Sequence, residues 1–220
     1  MGRVAVTVLQ LDTNFPRVPG DIGCPDTYLD EIQIIRIPQA SIRNIVTDKP
    51  QDIDIQPFLD AIPKANGEII VTSCGFLSFW QNTLSEECDR PFVSSSLVNL
   101  PNLRKVYSES ALLTLTFDSQ SLTQSHLGNT RSQILGLPRD GHLFEVIKQD
   151  KKQLDTSRAG AEIRDHLRAN FSKEWRHVLL ECTNLPPYKA EIRTLLGLPI
   201  TDILTSIEAL RPGSVRTDFL

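Results

Sequence analysis

The stretch that decides the fold is His177–Tyr188, which reads HVLLECTNLPPY. Its apolar run, Val178-Leu179-Leu180, has the composition of a buried strand. Cys182 follows, then Thr183 and Asn184, which are residue types that often cap helices, and a Pro-Pro pair typical of a first helical turn. Cys182 is therefore predicted at a strand-to-helix switch, where parallel sheets bind ligands and where a helix N-terminus would lower the pKa of a thiol.

A second stretch, Glu68–Leu77, reads EIIVTSCGFL and has a similar arrangement, with an apolar run followed by a cysteine. A β-branched apolar run ends in Thr72-Ser73, and Cys74-Gly75 follows. The two cysteines are about half the chain apart. Each is preceded, at nearly the same interval, by a predicted strand that ends in a carboxylate and a hydroxyl, Asp12-Thr13 and Asp118-Ser119. The chain is therefore interpreted as two related halves.

Composition excludes several classes of protein. The chain has 220 residues, a net charge of −4, 40% hydrophobic and 23% charged residues, which is ordinary for a soluble globular protein of one or two domains. No basic run or basic-aromatic interleaving indicates nucleic acid, and no apolar run approaches the ~20 residues of a membrane span. Without signal-peptide architecture, a cytoplasmic location is expected.

The cysteines and histidines predict no metal site. Neither residue type forms a CxxC, HxxxH or CxxH spacing, so a zinc site would need ligands from distant parts of the chain. In a reducing compartment the cysteines are expected to be free thiols. They are Cys24, Cys74, Cys88 and Cys182.

Strand patterns alternate with helical ones along the chain, which predicts α/β layers with mostly parallel sheets. A loop rich in proline and glycine is predicted over 15–25. The predicted strands are 4–11, 32–37, 68–73, 91–94, 111–117, 131–135, 177–181 and 198–201. The predicted helices are 54–65, 76–87, 97–107, 121–127, 143–149, 156–171, 188–196 and 202–210.

Two halves facing each other across a cleft would bring Cys74 and Cys182 to opposite sides of one ligand. One thiolate could then remove a proton from a carbon acid while the other thiol returns one from the far side. Backbone N–H groups after each cysteine and the hydroxyls of Ser73, Thr116 and Thr183 could bind the carboxylate and its enediolate form.

Four motifs resemble the aspartate/glutamate/hydantoin racemase superfamily, which includes racemases, maleate isomerase and arylmalonate decarboxylase, and an uncharacterised branch in particular. The motifs are DTNFPRVPGDIG at Asp12–Gly23, TSCGFL at Thr72–Leu77, LTFD at Leu115–Asp118 and LECTNLPPY at Leu180–Tyr188. The resemblance covers essentially the whole chain. It implies two pseudo-symmetric α/β domains with the active site between them: residues 1–108 plus 203–220, with a returning C-terminal helix, and residues 109–202.

The resemblance also implies that Cys74 and Cys182 are the catalytic thiols, that no cofactor is used, and that the family's substrate contacts fall at Asp12-Thr13-Asn14 and Thr183-Asn184. The candidate substrate-binding residues are Asp12, Thr13, Asn14, Ser73, Gly75, Thr116, Asp118, Thr183 and Asn184.

Four positions differ from the amino-acid racemases of that superfamily. Gly75-Phe76 stands where those enzymes carry Asn-Thr, and Asn184 stands where they often carry His or Glu. Glu181 stands where glycine is common, and strand alternation predicts that it points away from Cys182 in a structural role. These differences argue against aspartate or glutamate as the substrate.

The leading hypothesis is a cofactor-independent racemase or isomerase of a small, anionic, carboxylate-bearing molecule, with no nucleic-acid or membrane partner. The resemblance is compatible with a homodimer. Two alternatives remain open: a non-catalytic binding or regulatory protein on the same scaffold, and a decarboxylase or lyase of the same superfamily. Asp21 is interpreted as a turn former and Cys24 as a loop thiol, and whether either reaches the site stays open.

Overall fold

The computed structural model describes residues 4–220; residues 1–3, which the predicted first domain includes, lie outside the described residues. The described chain contains two four-stranded sheets with strand orders β2-β1-β3-β4 and β6-β5-β7-β8. Every described strand pairing is parallel, so the predicted α/β fold class is confirmed. The strands are β1 Val6–Leu11, β2 Ile32–Ile37, β3 Ile69–Thr72, β4 Phe92–Val93, β5 Leu112–Thr116, β6 Gln133–Gly136, β7 His177–Leu180 and β8 Ile200–Thr201.

The central strands are near-continuous apolar runs because helices and loops cover both faces of a parallel sheet. β3, β5 and β7 are buried along their whole length. The two sheets correspond strand for strand. β3 pairs with β1 in the first sheet as β7 pairs with β5 in the second. Cys74 and Cys182 each come two residues after the end of their strand, at equivalent positions of the two sheets.

Helices connect the strands, and most are short. They are α1 Ile42–Ile45, α2 Gln56–Leu59, α3 Gln81–Glu86, α4 Leu100–Val106, α5 Gln124–Leu127, α6 His142–Lys148, α7 Thr156–Ala169, α8 Lys189–Leu196 and α9 Ile203–Leu210. Turns of 3₁₀ helix cover Pro25–Thr27, Pro50–Asp52, Ile62–Lys64, Gly75–Trp80, Ser96–Asn99, Pro186–Tyr188 and Thr217–Phe219.

Four helix predictions need correction. The first parts of the predicted helices 76–87 and 97–107 are 3₁₀ turns, over Gly75–Trp80 and Ser96–Asn99. The predicted helix 54–65 is split into α2 and the 3₁₀ turn Ile62–Lys64, because a proline stands near the start of each piece and cannot continue a helix from the preceding turn. Thr183 and Asn184 do not cap a helix: a 3₁₀ turn over Pro186–Tyr188 intervenes, and α8 begins only at Lys189.

The C-terminal helix α9 packs on the first sheet although it follows the last strand of the second. Ile203, Leu204 and Ile207 share a core with Val6 and Val8 of β1. This is the packing expected of the returning helix, and the domain boundaries 1–108 plus 203–220 and 109–202 stay a prediction.

A buried ion pair joins α9 to the second half. Lys189, the first residue of α8, places its Nζ 2.6 Å from Asp202 Oδ2, and both side chains are almost completely buried. Asp202 Oδ1 also accepts a hydrogen bond from the Thr205 N–H and so caps α9, as its position before the helix predicts. Lys189 Nζ donates further to the carbonyl of Phe219 near the C-terminus. The pair therefore holds α8, α9 and the C-terminal residues together.

Within residues 4–220, none of the helices combines the length and the apolar character that crossing a bilayer requires.

Candidate active site

A narrow cleft, with about 20 Å³ of space open to a water-sized sphere, lies between the two sheets at the carboxyl ends of their central strands. Both Cys74 and Cys182 line it, so the structure brings the two predicted thiols to one site. Most of its wall is apolar, which is typical of a site that excludes water around a few polar groups. The apolar wall consists of Leu11, Phe15, Ile42, Val46, Phe76, Phe117 and Ile147.

Hydrogen bonds between side chains and the backbone fix the strand ends beneath the cleft. The hydroxyl of Thr183 donates to the carbonyl of Ser73 at 2.7 Å, across the two halves of the chain. The hydroxyl of Ser96 donates to the carbonyl of Leu180 at 2.7 Å, also across the halves. The hydroxyl of Ser73 accepts from the Leu11 N–H at 2.9 Å. The predicted residues Ser73 and Thr183 line the cleft, and their hydroxyls hold the two cysteine-bearing segments in register.

Cys182 stands at one end of a chain of polar contacts. Its thiol donates to Asn184 Oδ1 at 3.7 Å, and Asn184 Nδ2 donates to Asp21 Oδ2 at 2.5 Å. Asp21 is buried and also accepts from Arg17 at 3.2 Å and from the Gly23 N–H at 2.7 Å. Asp21 is therefore more than a turn former: it connects the loop of the first half to Cys182 of the second.

Both thiols are held in their protonated form in the closed cleft. Burial, and then the nearby Glu181, raise the pKa of Cys74 to about 12. The same two causes raise the pKa of Cys182 well above its usual range. The backbone N–H groups of Phe76 and Asn184 do lower these pKa values, but burial outweighs them, so the predicted net lowering is wrong. At Cys182 the N-terminus of the following helix is distant, because α8 begins seven residues later.

Glu181 faces the cleft, and the prediction that it points away is wrong. β7 ends at Leu180, so strand alternation does not extend to this residue. The hydroxyl of Thr116 donates to Glu181 Oε2 at 2.6 Å, whereas Oε1 has no hydrogen-bond partner among the described residues. The side chain is only 1% exposed, and burial raises its pKa to about 7.

Gly75 makes the space for this carboxyl group. A Cβ atom at position 75 would collide with Glu181 Oε1 and would lie 2.6 Å from the Glu181 carbonyl oxygen and 2.7 Å from its Cδ. Real Cβ atoms do not approach other atoms so closely. Gly75 and Glu181 therefore share one volume: a side chain at position 75 would need the space that the Glu181 carboxyl group occupies.

Arg17 is a cleft residue that the sequence analysis missed. Its guanidinium lies 4.3 Å from the centroid of the Phe15 ring, pairs with Asp21 and donates to the Thr13 hydroxyl at 3.0 Å. Its Nε is buried without a partner among the described residues, and Arg17 is the one cationic side chain found in the described lining of the cleft. The available signal was that Arg17 is the only basic residue of the loop 15–25.

Asp12 and Asn14 lie outside the described lining of the cleft and bind other parts of the surface. Arg36 Nε donates to Asp12 Oδ1 at 2.5 Å, and its guanidinium also donates to Asn14 Oδ1 at 3.0 Å. Asp150, in the second half, accepts from the backbone N–H of Asn14 at 2.5 Å, from its side-chain amide at 2.8 Å and from the Phe15 N–H at 3.0 Å. These three bonds form a clasp between Asp150 and the loop that carries Arg17.

The remaining predicted residues flank the cleft. Asp118 pairs with Arg139 at 3.1 Å and accepts from the Gln120 N–H, so it shapes the turn after β5. Thr116 lies behind Glu181 and contacts it directly. Cys24 is buried in the loop and is absent from the described lining. No three His, Cys, Asp or Glu side chains within residues 4–220 come together in a way that could hold a metal ion.

The chain is similar in sequence to dimethylsulfoniopropionate lyases. It is 25% identical over 224 residues to "Dimethylsulfoniopropionate lyase" of Durusdinium sp. clade D, which covers 94% of this chain and 74% of the relative. It is 28% identical over 224 residues to "Dimethylsulfoniopropionate lyase 7" of Emiliania huxleyi (strain CCMP1516), which covers 90% of this chain and 64% of the relative. The chain thus spans less than two thirds of the Emiliania protein. No protein-family model matches the chain.

Solved structures with the same fold include racemases and a decarboxylase. Allantoin racemase from Pseudomonas fluorescens superposes with a TM-score of 0.59 at 12% identity, covering 93% of this chain and 90% of that one. Unliganded arylmalonate decarboxylase gives 0.58 at 14% identity, covering 97% and 98%. Aspartate racemase from Picrophilus torridus gives 0.53 at 14% identity, covering 98% and 97%. At these identities the likeness is one of fold.

Proposed function

Because this chain has the fold of the aspartate/glutamate racemase superfamily, as its motifs predicted, we propose that it is a cofactor-independent lyase of small carboxylates. In this proposal a cysteine thiolate removes the proton next to the carboxylate, and a leaving group departs from the neighbouring carbon. The observation that carries the proposal is the cation Arg17 beside the cysteine thiols in one apolar cleft.

Arg17 is the group best suited to hold the substrate carboxylate. Guanidinium binds carboxylate strongly in a water-poor site, and the buried Nε of Arg17 is free to donate. A carboxylate held there would have its α-carbon within the same small cleft as both thiols. The positive charge would also stabilise the negative charge that develops on the carboxylate as the α-proton leaves.

The apolar wall suits a leaving group without hydrogen-bonding capacity. Phe15, Phe76 and Phe117 present aromatic rings to the cleft, and such rings attract soft cations such as a sulfonium. The sequence relatives are named for dimethylsulfoniopropionate, which carries a carboxylate at one end and a dimethylsulfonium at the other. This compound is therefore the first substrate to test.

The reaction would be a single elimination step. The thiolate takes the α-proton and becomes a thiol, the C–H electron pair forms the C=C bond of acrylate, and the C–S bond breaks with its electron pair leaving on dimethyl sulfide. The thiol then returns the proton to solvent. The substrate carbon needs one base, so one cysteine could be essential and the other auxiliary.

A second candidate is racemisation or isomerisation, and the retention of both cysteines at equivalent strand ends favours it. With one thiol on each half, a proton could leave from one face of the substrate and return on the other. This activity would require both cysteines equally.

One experiment separates the candidates. Wild type, Cys74→Ser and Cys182→Ser are incubated in heavy water with dimethylsulfoniopropionate, aspartate, glutamate, allantoin or an arylmalonate, and proton NMR follows each compound. We expect vinyl signals of acrylate from dimethylsulfoniopropionate, lost in at least one cysteine variant. Loss of an α-proton signal without a new product, abolished in both variants, would favour a racemase. Absence of any change across the panel would contradict the proposal and favour a binding protein.

A further inference from the structure

We propose that Glu181 is a third acid–base group of the cleft, which exchanges a proton with the thiols of Cys74 and Cys182. The inference deepens the proposed function, since it rests on the two thiols being the proton-transfer groups. It is argued from the position of the carboxyl group, its hydrogen bonds and the space that Gly75 leaves for it.

The position of Glu181 is specific to the cleft. The residue adjoins Cys182 in the chain, its Oε1 occupies the space above Gly75, which adjoins Cys74, and the side chain lines the same cleft as both thiols. A carboxyl group that served only to support the fold would be satisfied on both oxygens. Here Thr116 donates to Oε2, whereas Oε1 has no partner among the described residues, the two thiols included, so the exchange of a proton with a thiol requires a bridging water molecule.

Few charged or titratable groups face this carboxyl group from the elements around it. They are the two thiols, which follow β3 and β7, and two side chains of the loop: Arg17, which lowers the pKa of Cys74, and Asp21, which raises the pKa of Cys182. Thr116 of β5 contributes only its hydroxyl, and the backbone N–H of Phe117 also favours the ionised carboxylate. Glu181 and the two thiols therefore titrate as one coupled cluster, and each negative charge opposes the next.

The coupling explains how buried thiols could act near neutral pH. When a thiol gives its proton to the Glu181 carboxylate, a thiolate and a neutral carboxyl group form, and the cluster keeps a single negative charge. The first proton leaves the cluster near the pKa of Glu181, about 7, rather than near the much higher value of Cys74. The thiolate is then a minor form of the singly ionised cluster, available without a second ionisation.

The pH dependence of thiol alkylation tests this inference without any substrate. Iodoacetamide labels the native protein between pH 5 and 10, and peptide mass spectrometry gives separate rates for each cysteine. In the wild type we expect the rates at Cys74 and Cys182 to rise tenfold per pH unit up to about 7 and then to level off, because ionised Glu181 opposes further thiolate formation, before they rise again at higher pH as a thiolate forms beside the carboxylate.

Glu181→Gln should remove the levelling-off of the two alkylation rates near pH 7, which we call the break. The amide keeps the shape and can still accept from Thr116, yet it has no proton to exchange, so both rates should continue to rise above pH 7. Relative to pH 6, the two thiols of the variant should react at least about tenfold faster at pH 9 than those of the wild type. Cys88, half-buried beside Asp89, is the internal control and should give the same profile in both proteins. Glu174→Gln, an exposed substitution, is the matched variant control.

Thr116→Val gives a second test that keeps the carboxyl group. Loss of the hydroxyl donor disfavours the ionised carboxylate, so the break should move up by about one pH unit. A break that is absent from the wild type, or unchanged in Glu181→Gln, would overturn the inference. If the protein turns over substrate but shows no break, the inference about Glu181 is wrong and the lyase proposal stands. If the break is present but no substrate is turned over, the lyase proposal alone is refuted.

Discussion

The buried carboxyl group of Glu181 predicts a pH-dependent stability that one substitution should abolish. Its pKa in the folded protein is about 7, against an ordinary value of 4.5. Because the folded state prefers the protonated form, the stability contributed by this group is fully present below pH 4.5. It is lost as the pH rises through about 7, and above that value it is absent.

The size of the effect follows from the two pKa values. Each pKa unit corresponds to 1.36 kcal/mol, so ionisation of Glu181 should lower the free energy of unfolding by about 3 kcal/mol between pH 4.5 and pH 8. Glu181→Gln is neutral throughout this range. The stability of the variant relative to the wild type should therefore rise by about 3 kcal/mol over the same interval, whatever the difference is at pH 4.5.

Urea denaturation of both proteins at pH 4.5, 6, 7 and 8 measures this difference. The buried His126, whose pKa burial lowers to about 4, titrates in both proteins and cancels. The thiols, with pKa values raised above their usual range, stay protonated below pH 8 in both. Glu174→Gln should match the wild type at every pH. A relative stability of Glu181→Gln that stays constant within about 1 kcal/mol would refute the reasoning.

Three further predictions concern the contacts around the cleft. Lys189→Met leaves Asp202 buried without its cation and should lower the free energy of unfolding by about 3–5 kcal/mol, whereas adding Asp202→Asn should recover part of the loss in urea denaturation. Asp150→Gly keeps the backbone conformation at φ 51° without strain but removes three hydrogen bonds to Asn14 and Phe15. Iodoacetamide should then label the cleft thiols several-fold faster at pH 7. An unchanged rate would contradict the role of these bonds in holding the loop. Gly75→Ala should cost about 1–3 kcal/mol in thermal unfolding, and full stability would mean that the cleft is looser than described.

The sheets and the position of the thiols were predictable from the sequence for one physical reason. Strands buried on both faces must be apolar along their whole length, so β3, β5 and β7 are visible as uninterrupted runs. Parallel strands bring their carboxyl ends to the same edge of a sheet. Once the runs were located, each cysteine, two residues beyond its run, had to lie at the carboxyl edge of its own sheet; that the two edges face each other was predicted from the repeat and the family resemblance.

The side chains that surround the thiols were not predictable, because tertiary contacts decide them. Thr183 is a good helix cap by residue type, but the carbonyl of Ser73, far away in the chain, takes its hydroxyl instead. The direction of Glu181 depends on where β7 ends, which periodicity locates only to within a residue or two. Arg17 enters the cleft because Asp21 and the ring of Phe15 hold it there, and loop geometry of this kind leaves no periodic pattern.

The shared volume of Gly75 and Glu181 has a consequence for how the cleft could have changed over evolutionary time. Any side chain at position 75 meets the carboxyl group and the carbonyl oxygen of residue 181, so replacing the glycine first creates a collision. Replacing the glutamate first empties a buried space and leaves Thr116 without its acceptor. Each single step is therefore costly, and the two positions are expected to be inherited as a pair. A glycine after the first cysteine together with a glutamate before the second would then mark a lineage more reliably than either residue alone.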